Sequence, residues 1–292
     1  MSSLTYRNYF TSFIFLLCVF FLNAGATNAA TFTVNTVANS GAGSLRQAII
    51  DANAASSTNV IVFSFSGGVV RTINLTSALP DITSSLTIDG TTMTGYAGTP
   101  LVELNGTSAG ATANGLTNVT GKLSVKALII NRFGGDGIRA ICTAICNSGS
   151  SFYVNTLSVT GSYIGMDKLG TSASPNGGNG IYYQPYRPGK SSIGGNLANQ
   201  LNVIFGNGKN GILLRSSNTG SDSPSFSDVA VINNYIGTNA LEAEVLGNTL
   251  NGIAIEDTAT VGHVRSKQYT FASTLLIMAT EDIADADFFA EQ

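Results

Sequence analysis

Acid–base chemistry needs two or more ionisable groups brought within hydrogen-bond reach of one another. This chain of 292 residues is poor in them: 11% are charged, one is His, and the only adjacent acids before the C-terminal tail are Glu256-Asp257. Asp81, Asp89 and Glu103 come early, Asp136 and Asp167 stand alone, and Glu242 and Glu244 form a loose pair. Asp81 and Glu103 lie 22 residues apart, so a chain repeating at that interval would stack them. They are the pair to check, and the expectation is that they face different ways or are parted by a loop. His263, in Val261-Gly262-His263-Val264, reads as a surface residue rather than a base. No catalytic residue, metal-ligand set or cofactor is expected.

Binding chemistry has a better candidate. In Tyr182-Tyr183-Gln184-Pro185-Tyr186-Arg187-Pro188-Gly189-Lys190 the two prolines break strand pairing and predict a loop. Tyr183 and Tyr186 offer flat rings that stack on sugar faces, while Arg187 and Lys190 reach hydroxyls or uronate carboxylates. The alternative is a loop whose tyrosines cover a coil edge. Asp136 with Arg139, and Asp167 with Lys168, read as solvated turn charges. The expected partner class is a polysaccharide or cell-surface glycan. From Thr31 to Thr260 there are 12 acidic and 11 basic side chains, a net of −1, which calls for neither nucleic acid nor an anionic membrane.

The elements that must position these groups announce themselves by recurrence. Asn179-Gly180-Ile181 returns as Asn210-Gly211-Ile212 and Asn251-Gly252-Ile253, and more loosely as Asn114-Gly115-Leu116 and Asp136-Gly137-Ile138. The glycines are spaced by 22, 43, 31 and 41 residues, and two of these gaps approximate twice the first. A longer match aligns Ser162-Tyr163-Ile164-Gly165 through Gly180-Ile181 on Asn234-Tyr235-Ile236-Gly237 through Gly252-Ile253 without a gap. Such periods, filled with short apolar runs, predict a β-solenoid. Gly after Asn or Asp is expected to supply the positive φ of a sharp turn. Stacked coils would set Asn179, Asn210 and Asn251 over one another as a hydrogen-bonded ladder. Hairpin turns are the alternative use of Asn-Gly.

At roughly 22 residues per coil, residues 57–262 would make on the order of nine coils, less any outgrown loops. Leu86-Thr87-Ile88 and Val102-Glu103-Leu104 alternate as half-buried strands, and Val125 to Ile130 reads as one strand covered on both sides. Residues 31–56 hold a strand, Phe32 to Val37, and a short amphipathic helix with Leu45, Ala48, Ile49 and Ala52 on one face. Ser44 and Gln47 form a capping box, and the helix would cover the open end of the solenoid. Residues 1–30 have a positive start at Arg7, an apolar run from Phe10 to Leu22 and a small-residue site at Ala24-Gly25-Ala26, the pattern of a signal peptide. A secreted or cell-surface protein follows, with no transmembrane segment after cleavage. In that compartment Cys142 and Cys146 either close a small disulfide loop or stay as buried small hydrophobes. From His263 to Gln292 the glycines and the repeat stop, which predicts either a helical cap or a tail without a partner, as in a truncated array.

Gly43-Ser44-Leu45-Arg46-Gln47-Ala48-Ile49, followed by Ala52-Asn53 and Asn59-Val60-Ile61-Val62-Phe63, resembles the CSLREA-type N-terminal motif of exported bacterial right-handed parallel β-helix proteins. Gly43 stands at the usual Cys and Gln47 at the usual Glu. Ile73-Asn74-Leu75, Leu86-Thr87-Ile88-Asp89-Gly90, Val102-Glu103-Leu104-Asn105-Gly106 and Ile129-Ile130-Asn131-Arg132-Phe133 resemble the coils that follow in the same group. The resemblance spans residues 31–260 and implies an all-β, right-handed parallel β-helix of the pectin-lyase-like kind with a short N-terminal capping helix. The group includes adhesin-like surface proteins and polysaccharide lyases or glycoside hydrolases. Its lyases use carboxylates that hold Ca²⁺ beside a basic residue, and its hydrolases use close Asp pairs. With no Asp-Asp pair in these repeats, the expected role is binding, adhesin-like or structural, and a lyase or hydrolase is the alternative.

Overall fold

The computed structural model describes residues 29–55, 57–141, 155–184, 189–215, 227–238, 247–256, 269–272 and 275–276. Nearly all of the predicted signal peptide, both Cys142 and Cys146, and Glu242, Glu244 and His263 lie outside the described residues. The chain opens with β1 (Thr31–Val34) and α1 (Leu45–Ala54). A first coil follows, made of β2 (Asn59–Phe63), β3 (Arg71–Asn74) and a bridge at Ile82. The second is β4 (Leu86–Asp89), β5 (Val102–Asn105) and β6 (Leu116–Asn118), and the third is β7 (Lys122–Lys126), β8 (Leu128–Asn131) and β9 (Ile138–Ala140). The fourth is β10 (Thr156–Thr160), β11 (Tyr163–Ile164) and β12 (Ile181–Tyr183). The fifth is β13 (Gly189–Gly194), β14 (Asn202–Ile204) and β15 (Ile212–Arg215), and the sixth is β16 (Ser227–Ile232), β17 (Asn234–Ile236) and β18 (Ile253–Glu256). β19 (Tyr269–Ala272) and β20 (Leu275–Leu276) continue onto a further level.

Each coil from the second to the sixth contributes one strand to each of three sheets, in the order first, second, third, and the first coil meets the third sheet through the Ile82 bridge. Every pairing between these strands is parallel, so the chain is an all-β parallel β-helix with one helix near its N-terminus. Parallel pairing also disposes of Asn-Gly hairpins, which join antiparallel strands. Side chains alternate in and out along each strand, and the inward ones stack by type. In the first sheet Ile61, Ile88, Val125, Val159, Ile193 and Val231 lie over one another, all fully buried. In the second the column is Ile73, Leu104, Ile130, Ile164, Ile204 and Ile236, also fully buried. Burial stabilises by about 1.5–3 kcal/mol for each such side chain.

Two features of the coils differ from the expectation. In the third sheet Leu116, Ile138, Ile181, Ile212 and Ile253 are direct neighbours, so the intervals of 22, 43, 31 and 41 residues are each one coil. Residues 59–256 therefore make six coils, not about nine, because the turns between strands vary in length while the strands do not. The run from Val125 to Ile130 is also not a single strand. Ala127, with φ 51°, turns a corner between β7 and β8, as Gly161 (φ 60°) does between β10 and β11 and Asn233 (φ 50°) between β16 and β17. A left-handed residue reverses the chain direction cheaply when it is Gly and at about 1–2 kcal/mol otherwise.

α1 buries Leu45, Ala48, Ile49 and Ala52 against the first coil. Ser44 Oγ accepts the Gln47 N–H at 3.2 Å, which is the N-cap bond. The reciprocal half of a capping box is not made: Gln47 Nε2 donates to Asp51 Oδ1 at 2.8 Å, and the Ser44 N–H turns to the Gly41 carbonyl. Arg46 does more of the fastening, donating to the carbonyls of Asn39, Ser77 and Ala78 and to Asn39 Oδ1. At the other end, β19 pairs with β16 and β20 with β17. Those residues extend the stack, contrary to a tail without a partner.

Candidate binding faces

The recurring Asn-Gly-Ile step lies at the start of the third-sheet strands. The Asn210 N–H and Nδ2 both donate to Asn179 Oδ1, at 3.2 and 3.0 Å, and those of Asn251 both donate to Asn210 Oδ1, at 3.1 and 3.2 Å. Below them Asn179 donates in the same way to Asp136 Oδ1, at 2.7 and 2.9 Å, and the Asp136 N–H donates to Asn114 Oδ1 at 2.8 Å. Five rungs thus run through Asn114, Asp136, Asn179, Asn210 and Asn251. The glycines serve spacing, since none of Gly115, Gly137, Gly180, Gly211 and Gly252 has positive φ. A Cβ on Gly180 would lie 2.6 Å from the Gly211 carbonyl oxygen, and one on Gly137 equally close to that of Gly180. Two further polar columns run beside it, one of them from asparagines three residues before the recurring step, Asn176, Asn207 and Asn248. Asn176 donates to Asn207 and Asn207 to Asn248, while Asn202 donates to Asn234 and accepts from the Ser162 N–H.

Of the predicted sugar-binding residues, the two that are described, Tyr183 and Lys190, point to opposite sides of their sheets. Tyr183 is fully buried, its hydroxyl 2.9 Å from the Asn155 carbonyl and 2.7 Å from Ser191 Oγ. It follows Ile181 by two residues in a strand, so both side chains point into the core, and its ring cannot stack on a ligand. Lys190 is exposed on the outer side of the first sheet, opposite Asp228. Tyr186 and Arg187 lie outside the described residues.

The acids are held by protein donors. Glu103 is buried on β5: Oε2 accepts from Thr72 Oγ1 at 2.6 Å, and Oε1 from Asn131 Nδ2 at 2.9 Å and Arg132 Nη1 at 3.1 Å. Asp81 is exposed beside Ile82, which bridges to the third sheet, so the two acids belong to different faces. Asp89 accepts from Thr91 and pairs with Lys126 at 3.1 Å. Asp136 is a buried rung rather than a solvated turn charge: Oδ1 takes both Asn179 donors and Oδ2 pairs with Arg139 Nη1 at 2.8 Å. Asp167 Oδ1 accepts from the N–H groups of Thr171 and Ser172, ordering its own loop, while Lys168 is exposed. Among the described residues no group of three or more His, Cys, Asp or Glu side chains is placed to hold a metal ion.

The outer side of the second sheet is where aromatic rings come together. Register places Tyr163 beside Val203 and Val203 beside Tyr235, so the two tyrosines share one row two coils apart, about 10 Å. They are the Tyr positions of the long internal match, Ser162 to Gly165 and Asn234 to Gly237. Both are half-buried and pack on a floor of Met166, Val203 and Phe205, with Leu201 beside them. Left-handed glycines, Gly165 at φ 85° and Gly237 at φ 83°, end both segments and let the chain turn away from the row. Burial raises the hydroxyl pKa of Tyr163 above its ordinary 10.0, against a bond with Thr99 that lowers it. Nearby Tyr96 is raised by burial first, then by Asp89 and Tyr163.

The outer side of the third sheet is charged. Arg139 lies 4.3 Å above the ring of Tyr182, its neighbour one coil on, and Arg215 stands two coils beyond Arg139. Arg215 also stands 3.6 Å from Glu256.

No family model and no curated protein matches the chain. Among solved structures it is similar to Jun a 1, the major allergen from cedar pollen, at 12% identity and a TM-score of 0.28, over 89% of this chain and 83% of that one.

Proposed function

We propose that the protein is an exported, adhesin-like β-helix protein of the cell surface or extracellular space, which binds an extended glycan along the outer side of its second sheet. One observation carries this reading. Tyr163 and Tyr235 present half-buried rings in a single row, two coils apart, above a buried apolar floor. Rings fixed at that spacing can stack on alternate residues of an extended sugar chain, while their hydroxyls bond to its edges. Binding rather than turnover is favoured by the carboxylates of the coils, since Glu103, Asp89 and Asp136 are each held by two or more protein donors.

The test is affinity electrophoresis of the exported chain in gels containing neutral or acidic polysaccharides, with assays for reducing ends and unsaturated uronates run beside it. Retention by at least one polysaccharide is expected, without product. Tyr163→Ala and Tyr235→Ala should each weaken it by about 1 kcal/mol, roughly fivefold. Retention unchanged in both variants would reject the tyrosine row, and product formation that persists in purified protein would replace binding with catalysis.

A further inference from the structure

We propose that the cleft at the N-terminal corner between the first and second sheets is a binding site for a small carboxylate ligand, with Arg71 as its anion-binding group. The site does not depend on the tyrosine row, which lies on the outer side of the second sheet.

Arg71 stands where the fold otherwise places an apolar core residue. It opens β3, on the same side of the strand as the buried Ile73, and the next residues along its column are Val102 and Leu128, both fully buried. The other described arginines are paired within the protein. Arg132, Arg139 and Arg215 each face a carboxylate, and Arg46 spends Nε, Nη1 and Nη2 on oxygens of Asn39, Ser77 and Ala78. Arg71 faces no carboxylate among the described residues. Its Nη2 donates to the Ser66 carbonyl, and its Nε is closed off from solvent without an acceptor. A half-buried guanidinium has lost part of its hydration, so an incoming anion meets a cation that is neither neutralised nor fully solvated.

The cleft that Arg71 lines has a volume of about 680 Å³ and is walled by three successive levels of the chain. Asn35 follows β1, Ser64, Phe65 and Ser66 follow β2, and Thr94 lies in the turn after β4. These walls are held in place by the backbone. The Asn35 N–H donates to the Gly43 carbonyl at 3.0 Å, and the Ser64 N–H to the Val34 carbonyl at 2.9 Å. Gly68 and Gly95, left-handed at φ 55° and 86°, let the loop after β2 touch the turn that carries Thr94. A Cβ on Gly95 would lie 2.7 Å from Gly68 Cα. Walls fixed in this way reduce the ordering that binding must impose. The chemistry suits an acid with an organic body. The Nη groups form a fork for a carboxylate, and the hydroxyls of Ser64, Ser66 and Thr94 can bond to its substituents. The half-buried ring of Phe65 adds a flat apolar surface.

Titration calorimetry of the full exported chain with the sodium salts of glucuronate, benzoate and acetate, at constant ionic strength, tests the site. Saturable binding of at least one acid is expected, and much weaker binding of methyl glucoside and benzyl alcohol, which lack the carboxylate. A preference for glucuronate assigns a sugar acid, a preference for benzoate an aromatic acid, and no preference the carboxylate group alone. Arg71→Ala should weaken binding at least about tenfold, the worth of charge-assisted hydrogen bonds. Arg71→Lys keeps the charge but loses the fork, and should fall between the two. Tyr163→Ala should leave binding unchanged, which separates this site from the tyrosine row. Thr94→Trp fills the cleft from its exposed rim and should abolish binding; it decides the matter if Arg71→Ala does not fold. Circular dichroism and melting of each variant establish that it is folded. Unsaturable heats, neutral compounds bound as tightly as the acids, or binding unchanged in Thr94→Trp or in folded Arg71→Ala would each overturn the proposal.

Discussion

The edge of the third sheet and the outer side of the second obey opposite rules. Along the edge, every coil from the second to the sixth repeats an Asn or Asp, then Gly, then Leu or Ile. Along the second-sheet row, neighbouring coils carry Glu103, Ile129, Tyr163, Val203 and Tyr235. The difference is one of constraint. At the edge a side chain must bond to its counterpart one coil away, and the glycine must leave space for a carbonyl oxygen, so few residue types fit each place. On the outer row the backbone bonds are made whatever the side chain, so residue type can change from coil to coil: Glu103, Ile129 and Val203 are buried there, and Tyr163 and Tyr235 are half-buried. Repetition in every coil marks the scaffold, whereas the tyrosines return only in every second coil of the outer row.

The sharpest way to break this contrast is at the glycine. Gly180→Ala would place Cβ 2.6 Å from the Gly211 carbonyl oxygen and 2.8 Å from Ile204 Cγ2, so the coils must separate or twist. A loss of about 3 kcal/mol or more is expected in chemical denaturation, at the upper end for overpacked cores. The ladder should respond next. Asn210→Ala removes the acceptor of both Asn251 donors and should destabilise by about 1–3 kcal/mol. Tyr235→Ala, on the half-buried second-sheet row, should change stability by less than Asn210→Ala while reducing glycan retention. Equal losses of stability in the two variants would erase the distinction drawn here.

The smallest effect concerns pH. Tyr96 and Tyr163 have hydroxyl pKa values raised above 10.0 by burial, so the folded state holds their protons more tightly than the unfolded one. Their contribution is fully present below pH 10 and is lost as pH rises through the raised values. Absorbance titration near 295 nm should show a late-ionising fraction that shrinks in Tyr163→Phe. A fraction unchanged by that substitution would mean that the ring is more open than its packing on Met166 implies.

Much of the scaffold was legible because its chemistry is local. The Asn-Gly-Ile recurrence follows from a spacing rule, and the helix over residues 45–54 follows from one apolar face and a Ser cap. Coil number was not legible from intervals of 22, 43, 31 and 41, because a turn can grow without disturbing the strands on either side. The corner at Ala127 was hidden for a related reason: an apolar run looks the same whether it stays in one sheet or passes into the next. The candidate site was less legible still. Tyr183 looked available because it stands near two prolines, yet the alternation starting at Ile181 already places it inward and Tyr182 outward. Asp136 could have been found, since Asp136-Gly137-Ile138 occupies the same step as the asparagines. The tyrosine row was present in the long internal match, but only register shows that its two copies share a face.

Asp136 also gives the ladder a direction. Asn179, Asn210 and Asn251 all aim their amide N–H groups toward the N-terminal coils, so their dipoles add along the solenoid axis. The positive end of that row meets a carboxylate, much as an acid complements the start of an α-helix. Aligned amides polarise one another, which makes each bond depend on the next. The edge of the sheet is in this sense a small electret, with a fixed charge set at one pole.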